Sequence, residues 1–170
     1  MKDTLFKKSI FKYIALCLVT VFMLSSLTAC SNEQEVKSEG MTITLDKSYK
    51  ESTLANTTWY YTSHDGLVMG IKSLKNDVEK SGLEVNSPLD YAEGYIRANN
   101  IPGQPKIKSK VSYIYFEHSR KVSGTEYKYL TCIYDHDDAY WVVTFACYKA
   151  LYDEYKAGFF KSADSVVFDE

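Results

Sequence analysis

Cys30 is the residue of this 170-residue chain whose neighbours prescribe a chemistry. It closes an N-terminal segment that is basic at Lys2, Lys7, Lys8 and Lys12, apolar from Ile14 to Leu24, and small at Thr28-Ala29. Basic, then apolar, then small is the layout of a cleavable export signal. Its apolar part is too short to span a bilayer as a stable helix. Cleavage after the small residues leaves a thiol at the new N-terminus. The second set of reactive groups is Asp135-His136-Asp137-Asp138. Carboxylates around an imidazole can hold a divalent cation, which makes these four the metal candidates. Asp also favours turns, and the glycine and distant Glu of an EF-hand loop are not at their places. The expectation is therefore a polar hairpin loop, with no metal and no cofactor.

Leu27-Thr28-Ala29-Cys30 resembles the lipobox of bacterial lipoproteins. That resemblance implies that the Cys30 thiol takes a diacylglycerol and becomes residue one of the mature chain. It implies a signal peptide over 1–29 and a protein held by lipid on the extracytoplasmic face of the cell membrane. The polar stretch Ser31 to Gly40 lacks aromatic residues and reads as a flexible tether, so 30–40 is expected to link the anchor to a single domain over 41–170. The paired Lys7-Lys8, the short leash and a Lys-, Tyr- and Asn-rich domain read as a Gram-positive source.

Charge narrows the partners. The chain holds 20 basic and 22 acidic side chains, and residues 1–30 carry four Lys and one Asp of them, leaving 16 against 21 in the remainder. A net charge of about −5 argues against nucleic acid and against adhesion to anionic lipid through charge. The membrane, through the anchor, and an envelope protein are the partners this leaves. Cys17 lies in the signal, so Cys132 and Cys147 are the thiols of the domain. Both fall on strands of a hairpin turning near Asp137-Asp138, roughly 15 Å apart at about 3.3 Å of rise per residue. Bridged Cα atoms lie within about 7 Å, so free, buried thiols are expected.

No nucleophile elbow, phosphate loop, His-Glu-x-x-His or Cys-x-x-Cys occurs, and His64 and His118 sit in no nucleophile motif. The reading is non-enzymatic. A hydrolase with dispersed carboxylates is the remaining catalytic alternative. Tyrosine is over-used: fourteen of fifteen lie beyond residue 30, with Trp59 and Trp141. Tyr suits half-buried strand positions, yet a cluster exposed among Trp59, Tyr61, Tyr113, Tyr115 and Trp141 would form a binding groove for a protein or small ligand.

The positioning elements follow from period and punctuation. Met41 to Leu45 alternates as a strand. Thr57 to Ser63 and Leu67 to Leu74 flank a turn at His64-Asp65-Gly66, where Gly66 is expected at positive φ. Asn76 to Ser81 is a short helix ended by Gly82. Ser87-Pro88-Leu89-Asp90 starts a helix with Leu89, Ala92 and Ile96 on one face. Lys106 to His118, Thr125 to Asp135 and Ala139 to Tyr148 are long strands, the last two apolar on both faces and so central in a sheet. Lys106, Lys108 and Lys110 read as a solvated edge. Ala150 to Ala163 is a helix with Leu151, Tyr155 and Phe159 inward, and Ser165 to Phe168 a closing strand.

Strands, helix, three long strands, helix defines an α+β domain with a mainly antiparallel sheet and helices on its faces. Met41 to Leu45, Trp59-Tyr60-Tyr61 with the Asp65-Gly66 turn, and Tyr140 to Phe145 before a final helix and Asp164-Ser165-Val166 resemble the PsbP/Mog1-like fold in order and pattern. That resemblance implies an accessory or binding protein. An NTF2/cystatin-like cone is the alternative, though its long helix usually precedes its strands.

Overall fold

The computed structural model describes residues 32–108 and 113–169. Cys30, the signal segment, Lys110 and Val111 lie outside the described residues.

Among the described residues ten strands form two antiparallel sheets. The smaller sheet holds β1 (Glu33–Ser38), β2 (Met41–Asp46) and β10 (Val167–Phe168), in the order β1-β2-β10. The larger holds β3 (Lys50–Ser52), β4 (Trp59–Thr62), β5 (Gly66–Leu74), β6 (Lys106–Lys108), β7 (Tyr113–Val122), β8 (Thr125–His136) and β9 (Ala139–Tyr148). Its order is β3-β4-β5-β9-β8-β7-β6. The two runs apolar on both faces, β8 and β9, lie inside it, and every residue of β9 but the last is buried.

Alternation along the strands assigns each face a cover. Val68, Leu130, Cys132, Tyr134, Trp141, Val143 and Phe145 point to one face. There they meet Met41, Ile43 and Leu45 of β2 together with helix α3 (Tyr152–Asp164). Ile114, Phe116, Ile133, Tyr140 and Val142 point to the other face, under helix α2 (Pro88–Ala98). Within the second face Thr131 and Thr144 are buried and bond each other at 3.1 Å, so neither hydroxyl is left unsatisfied. The expected α+β sheet with helices on its faces is the architecture observed.

Helix α2 begins where its capping residues require. Ser87 is extended and its Oγ accepts from the Asp90 amide at 3.2 Å, with Pro88 in the first turn. The short helix α1 (Lys75–Lys80) ends at Gly82, which has φ +79°. The hairpin between β8 and β9 turns at Asp137-Asp138, with Asp137 at φ 49°. Cys132 faces Val143, Cys147 faces Lys128, and both thiols are free and buried.

The structure corrects the sequence reading at four places. The stretch expected as a tether is strand β1 over Glu33–Ser38, paired with β2 along its whole length. A polar edge strand needs no aromatic residue: main-chain bonds hold it, Val36 is its single buried side chain, and Glu39-Gly40, both at positive φ, close the turn to Met41. The run Lys106 to His118 is two antiparallel strands, with Lys108 opposite Tyr113, because period-2 alternation survives a hairpin and does not report it. The edge position expected for its lysines holds for β6, where Lys108 nonetheless reaches Asp164 at 2.7 Å. The final helix is α3 after a 3-10 turn at Lys149–Leu151, and its buried stripe is Tyr152, Phe159 and Ala163, with Tyr155 half-buried and Leu151 in the turn. Lastly, Gly66 is not at positive φ. Its reason is space: a Cβ there would lie 2.9 Å from the Ala146 carbonyl and 3.0 Å from the Tyr49 hydroxyl.

Candidate functional site

The five aromatic residues read as a possible groove do share one sheet face. Trp59 and Tyr61 of β4, Tyr113 and Tyr115 of β7, and Trp141 of β9 all alternate toward the side that packs α3 and the small sheet. That face is the core. Trp59, Tyr113 and Trp141 are 7, 1 and 2% exposed, so the groove expectation is corrected: these rings fill the interior. Trp59 lies edge-on to Tyr61 at 6.3 Å, Tyr113 packs on Tyr134 at 5.0 Å, and Trp141 meets Phe168 at 6.2 Å. Only Tyr61 and Tyr115 are half-buried. The period-2 rule identifies residues that share a face and is silent on whether that face is wet.

The acidic hairpin is likewise committed internally. Asp135 pairs with Lys75 at 2.6 Å, and Lys75 also donates to the Asp137 carbonyl at 2.7 Å while lying over the Tyr140 ring. The hydrogen bond to Asp135, against a smaller effect of burial, holds the Lys75 ammonium above its ordinary pKa. His136 stacks on Phe168 at 4.4 Å and reaches Asp137 at 3.2 Å. Among the described residues no group of three or more His, Cys, Asp or Glu side chains is arranged to hold a metal ion.

Burial pushes both thiols up, Cys147 to about 11, so they stay protonated at neutral pH. The His64 side chain is 95% exposed. His118 stacks on Tyr129 at 4.7 Å, and burial with the nearby Arg120 lowers its pKa.

What the sequence reading missed is a cleft of about 460 Å³ between α3 and the β2–β3 connection. Leu45, Phe145, Tyr155 and Phe159 supply its apolar wall, with Phe145 stacked on Phe159 at 5.3 Å. Asp46, Ser48, Glu154 and Ser162 stand among its other lining residues. Tyr49 also lines it, and burial pushes its phenol to about 12. The size is that of a small-ligand site, mostly apolar with a few polar groups. No Lys, Arg or His lines it. Gly158 was the available signal. A glycine between two turns of an aromatic helix lowers helix propensity, and a Cβ there would meet nothing within 4 Å.

An ion-pair knot fixes α3 beside this cleft. Glu117 of β7 accepts from Lys156 at 2.9 and 3.2 Å and lies 3.8 Å from Lys128, whose ammonium sits 4.3 Å from the Tyr152 ring centre. Burial alone would raise the Glu117 pKa. The Lys156 hydrogen bond, the adjacent Tyr152 hydroxyl and the two ammonium charges outweigh it and hold the carboxyl below its usual value. A carboxyl with a lowered folded pKa stabilises the fold above its unfolded pKa of about 4.3, and that stabilisation disappears as pH falls through the folded value. Glu117→Gln is therefore expected to cost about 1–2 kcal/mol at pH 7 and much less at pH 3. Urea midpoints of both proteins at the two pH values check it. An equal gap at both would remove the carboxylate from the account.

An antiparallel α+β sandwich with helices on both faces and one mostly apolar cleft under its last helix is the class these features define. No family model matches the chain, and no curated protein matches it. Solved structures do. A protein of Bacteroides thetaiotaomicron VPI-5482 aligns at a TM-score of 0.56 and 11% identity over 82% of this chain, which spans about half (49%) of that protein. LpqN of Mycobacterium tuberculosis, described as involved in cell envelope biogenesis, aligns at 0.51 and 12% identity over 81% of this chain and 91% of its own. The cyanobacterial PsbP (CyanoP) of Synechocystis sp. PCC 6803 aligns at 0.46 and 10% identity, over 81% and 93%. At such identities the likeness to the first two is one of fold.

Proposed function

We propose that this chain is a lipid-anchored accessory domain on the extracytoplasmic face of the cell membrane, binding another envelope component without catalysing a reaction on it. The observation that carries the proposal is Leu27-Thr28-Ala29-Cys30 at the end of a basic and apolar segment. No helix among the described residues is long and apolar enough to cross a membrane, which agrees with attachment through lipid. LpqN, which shares the fold, is involved in cell envelope biogenesis, a role in the compartment proposed here. Inert thiols and histidines outside any nucleophile set favour binding over catalysis. Fractionation of cells producing the full chain tests the anchor. The native protein is expected in the membrane fraction and Cys30→Ala in the soluble one. An unchanged distribution would overturn the proposal.

The second reading, a receptor for a small ligand, is favoured by the cleft under α3. Its walls are Phe145, Tyr155 and Phe159 instead of the aromatic residues picked out by strand alternation.

A further inference from the structure

Helix α2 covers only half of its sheet face. Beneath it lie Ile114, Phe116, Ile133 and Val142. The same alternation carries each strand on toward its other end. There β7 places His118 and Arg120, β8 Tyr127 and Tyr129, β9 Tyr148 and β5 Leu67. None of these six side chains joins either buried cluster. Tyr148 is 38% exposed, Arg120 is exposed, and the other four are half-buried. This half-face is thus an aromatic surface open to contact, made by tyrosines other than those that fill the core. Tyr127 and Tyr148 stack at 5.3 Å, and His118 and Tyr129 at 4.7 Å. Side chains stand roughly perpendicular to a sheet, so rings stacked across strands turn edges and hydroxyls outward. An aromatic edge carries the positive part of the ring quadrupole. Arg120, opposite Tyr127, adds a full positive charge and has no carboxylate partner among the described residues. The carboxylates of these strands lie elsewhere. Glu51, Glu117 and Glu126 alternate to the opposite face, and Asp135 sits at the far end of β8, paired with Lys75. Asp65, in the turn before β5, accepts from Tyr155 of α3 on that opposite side.

We propose that this half-face, centred on Tyr127, Tyr129 and Tyr148 beside Arg120, docks an acidic, partly apolar segment of a partner protein; this rests on the accessory-binding reading above and names its surface. Charge chooses the partner. In a domain with more acidic than basic side chains, the one aromatic half-face cleared of carboxylates presents a cation, ring edges and phenol hydroxyls, which complement Asp and Glu. Composition chooses its class. Tyr and Arg are the residues enriched where protein partners bury surface, and half-buried Leu67 gives an apolar side chain of the partner a place to rest. A sugar ring stacks on an aromatic face, and here each ring spends a face on its neighbour. A second copy of the chain would set Arg120 against Arg120 across a two-fold axis.

The test uses the full chain in the cells that make it, with the photocrosslinker p-benzoylphenylalanine in place of Tyr148 or, as the control, in place of Val167, which is exposed on the small sheet. Illumination followed by peptide mass spectrometry is expected to join the probe at Tyr148 to a segment of another protein rich in Asp and Glu. Arg120→Glu is expected to lower the yield of that adduct about fivefold or more, and Arg120→Lys, which keeps the charge, to retain most of it. Urea midpoints of both variants are expected to match the parent, since Arg120 is exposed and unpaired. A yield no greater than at Val167, a yield unchanged in Arg120→Glu, or an adduct to a basic segment, to a glycan or to a second copy would each overturn the docking face. Fractionation of the same cells keeps the anchor separate. A membrane-bound chain without the adduct removes the docking face alone, and a soluble chain that forms the Arg120-dependent adduct removes the anchor and supports the docking face.

Discussion

Gly70→Val is expected to destabilise the domain by about 3 kcal/mol, a fall of roughly 10 °C in Tm for a domain of this size. Gly70 on β5 faces Trp59 on β4, and the indole lies flat over the glycine. A Cβ added at Gly70 would come within 2.2 Å of two indole atoms, and Trp59 is itself only 7% exposed. The ring has little room to swing outward, because it is buried in the core and meets Tyr61 edge-on. Overpacking in a close-packed interior is relieved only by moving strands. The mechanism predicts coupling as well as loss. Trp59→Ala, which alone is expected to cost about 3 kcal/mol or more, should cost far less in the Gly70→Val background. Denaturant midpoints of the two single variants and the double variant measure this. Additive losses, within about 0.5 kcal/mol, would mean the indole and the glycine are not in contact.

Phe159→Ala is expected to cost about 3–5 kcal/mol, the range for emptying an aromatic site from a core. Phe159 is 3% exposed, stacks on Phe145 of the central strand at 5.3 Å, and touches Tyr152 and Tyr155 at 6.2 and 5.8 Å. It is one of the buried side chains through which α3 packs on the sheet, and it also lines the cleft. Collapse of the cleft around the missing ring is limited by the Lys156–Glu117 ion pair, which keeps the helix at its distance. A loss under about 1 kcal/mol in urea denaturation would show that α3 closes over the gap freely.

Elements marked by local chemistry were legible before any coordinate. The Ser87 cap with Pro88 located α2, the two-sided apolar runs located β8 and β9 at mid-sheet, and Asp137-Asp138 located their hairpin. Their separation, with Cys132 opposite Val143, kept the two thiols apart as the register required. Features set by long-range pairing were not legible. Glu33–Ser38 is polar and became a strand because β2 offered it an open edge, a fact that resides in residues 41–46. Lys106–Lys108 folds back on Tyr113–Tyr115, and alternation reads the same on both sides of a reversal. The site suffered most. Trp59, Tyr113 and Trp141 were grouped correctly by face, yet which face is covered depends on β2 and α3, far away in sequence. The cleft joins Leu45 to Phe145 and Phe159 across a hundred residues, and only the unpacked Gly158 hinted at it.

The mature N-terminus decides the account. Intact-mass and peptide mass spectrometry of the protein purified from its membrane is expected to find Cys30 as the first residue, carrying a thioether-linked diacylglycerol, with Ser31 and Asn32 between it and the strand that begins at Glu33. An uncleaved N-terminus, or a mature chain that starts elsewhere with an unmodified Cys30 thiol, would contradict it.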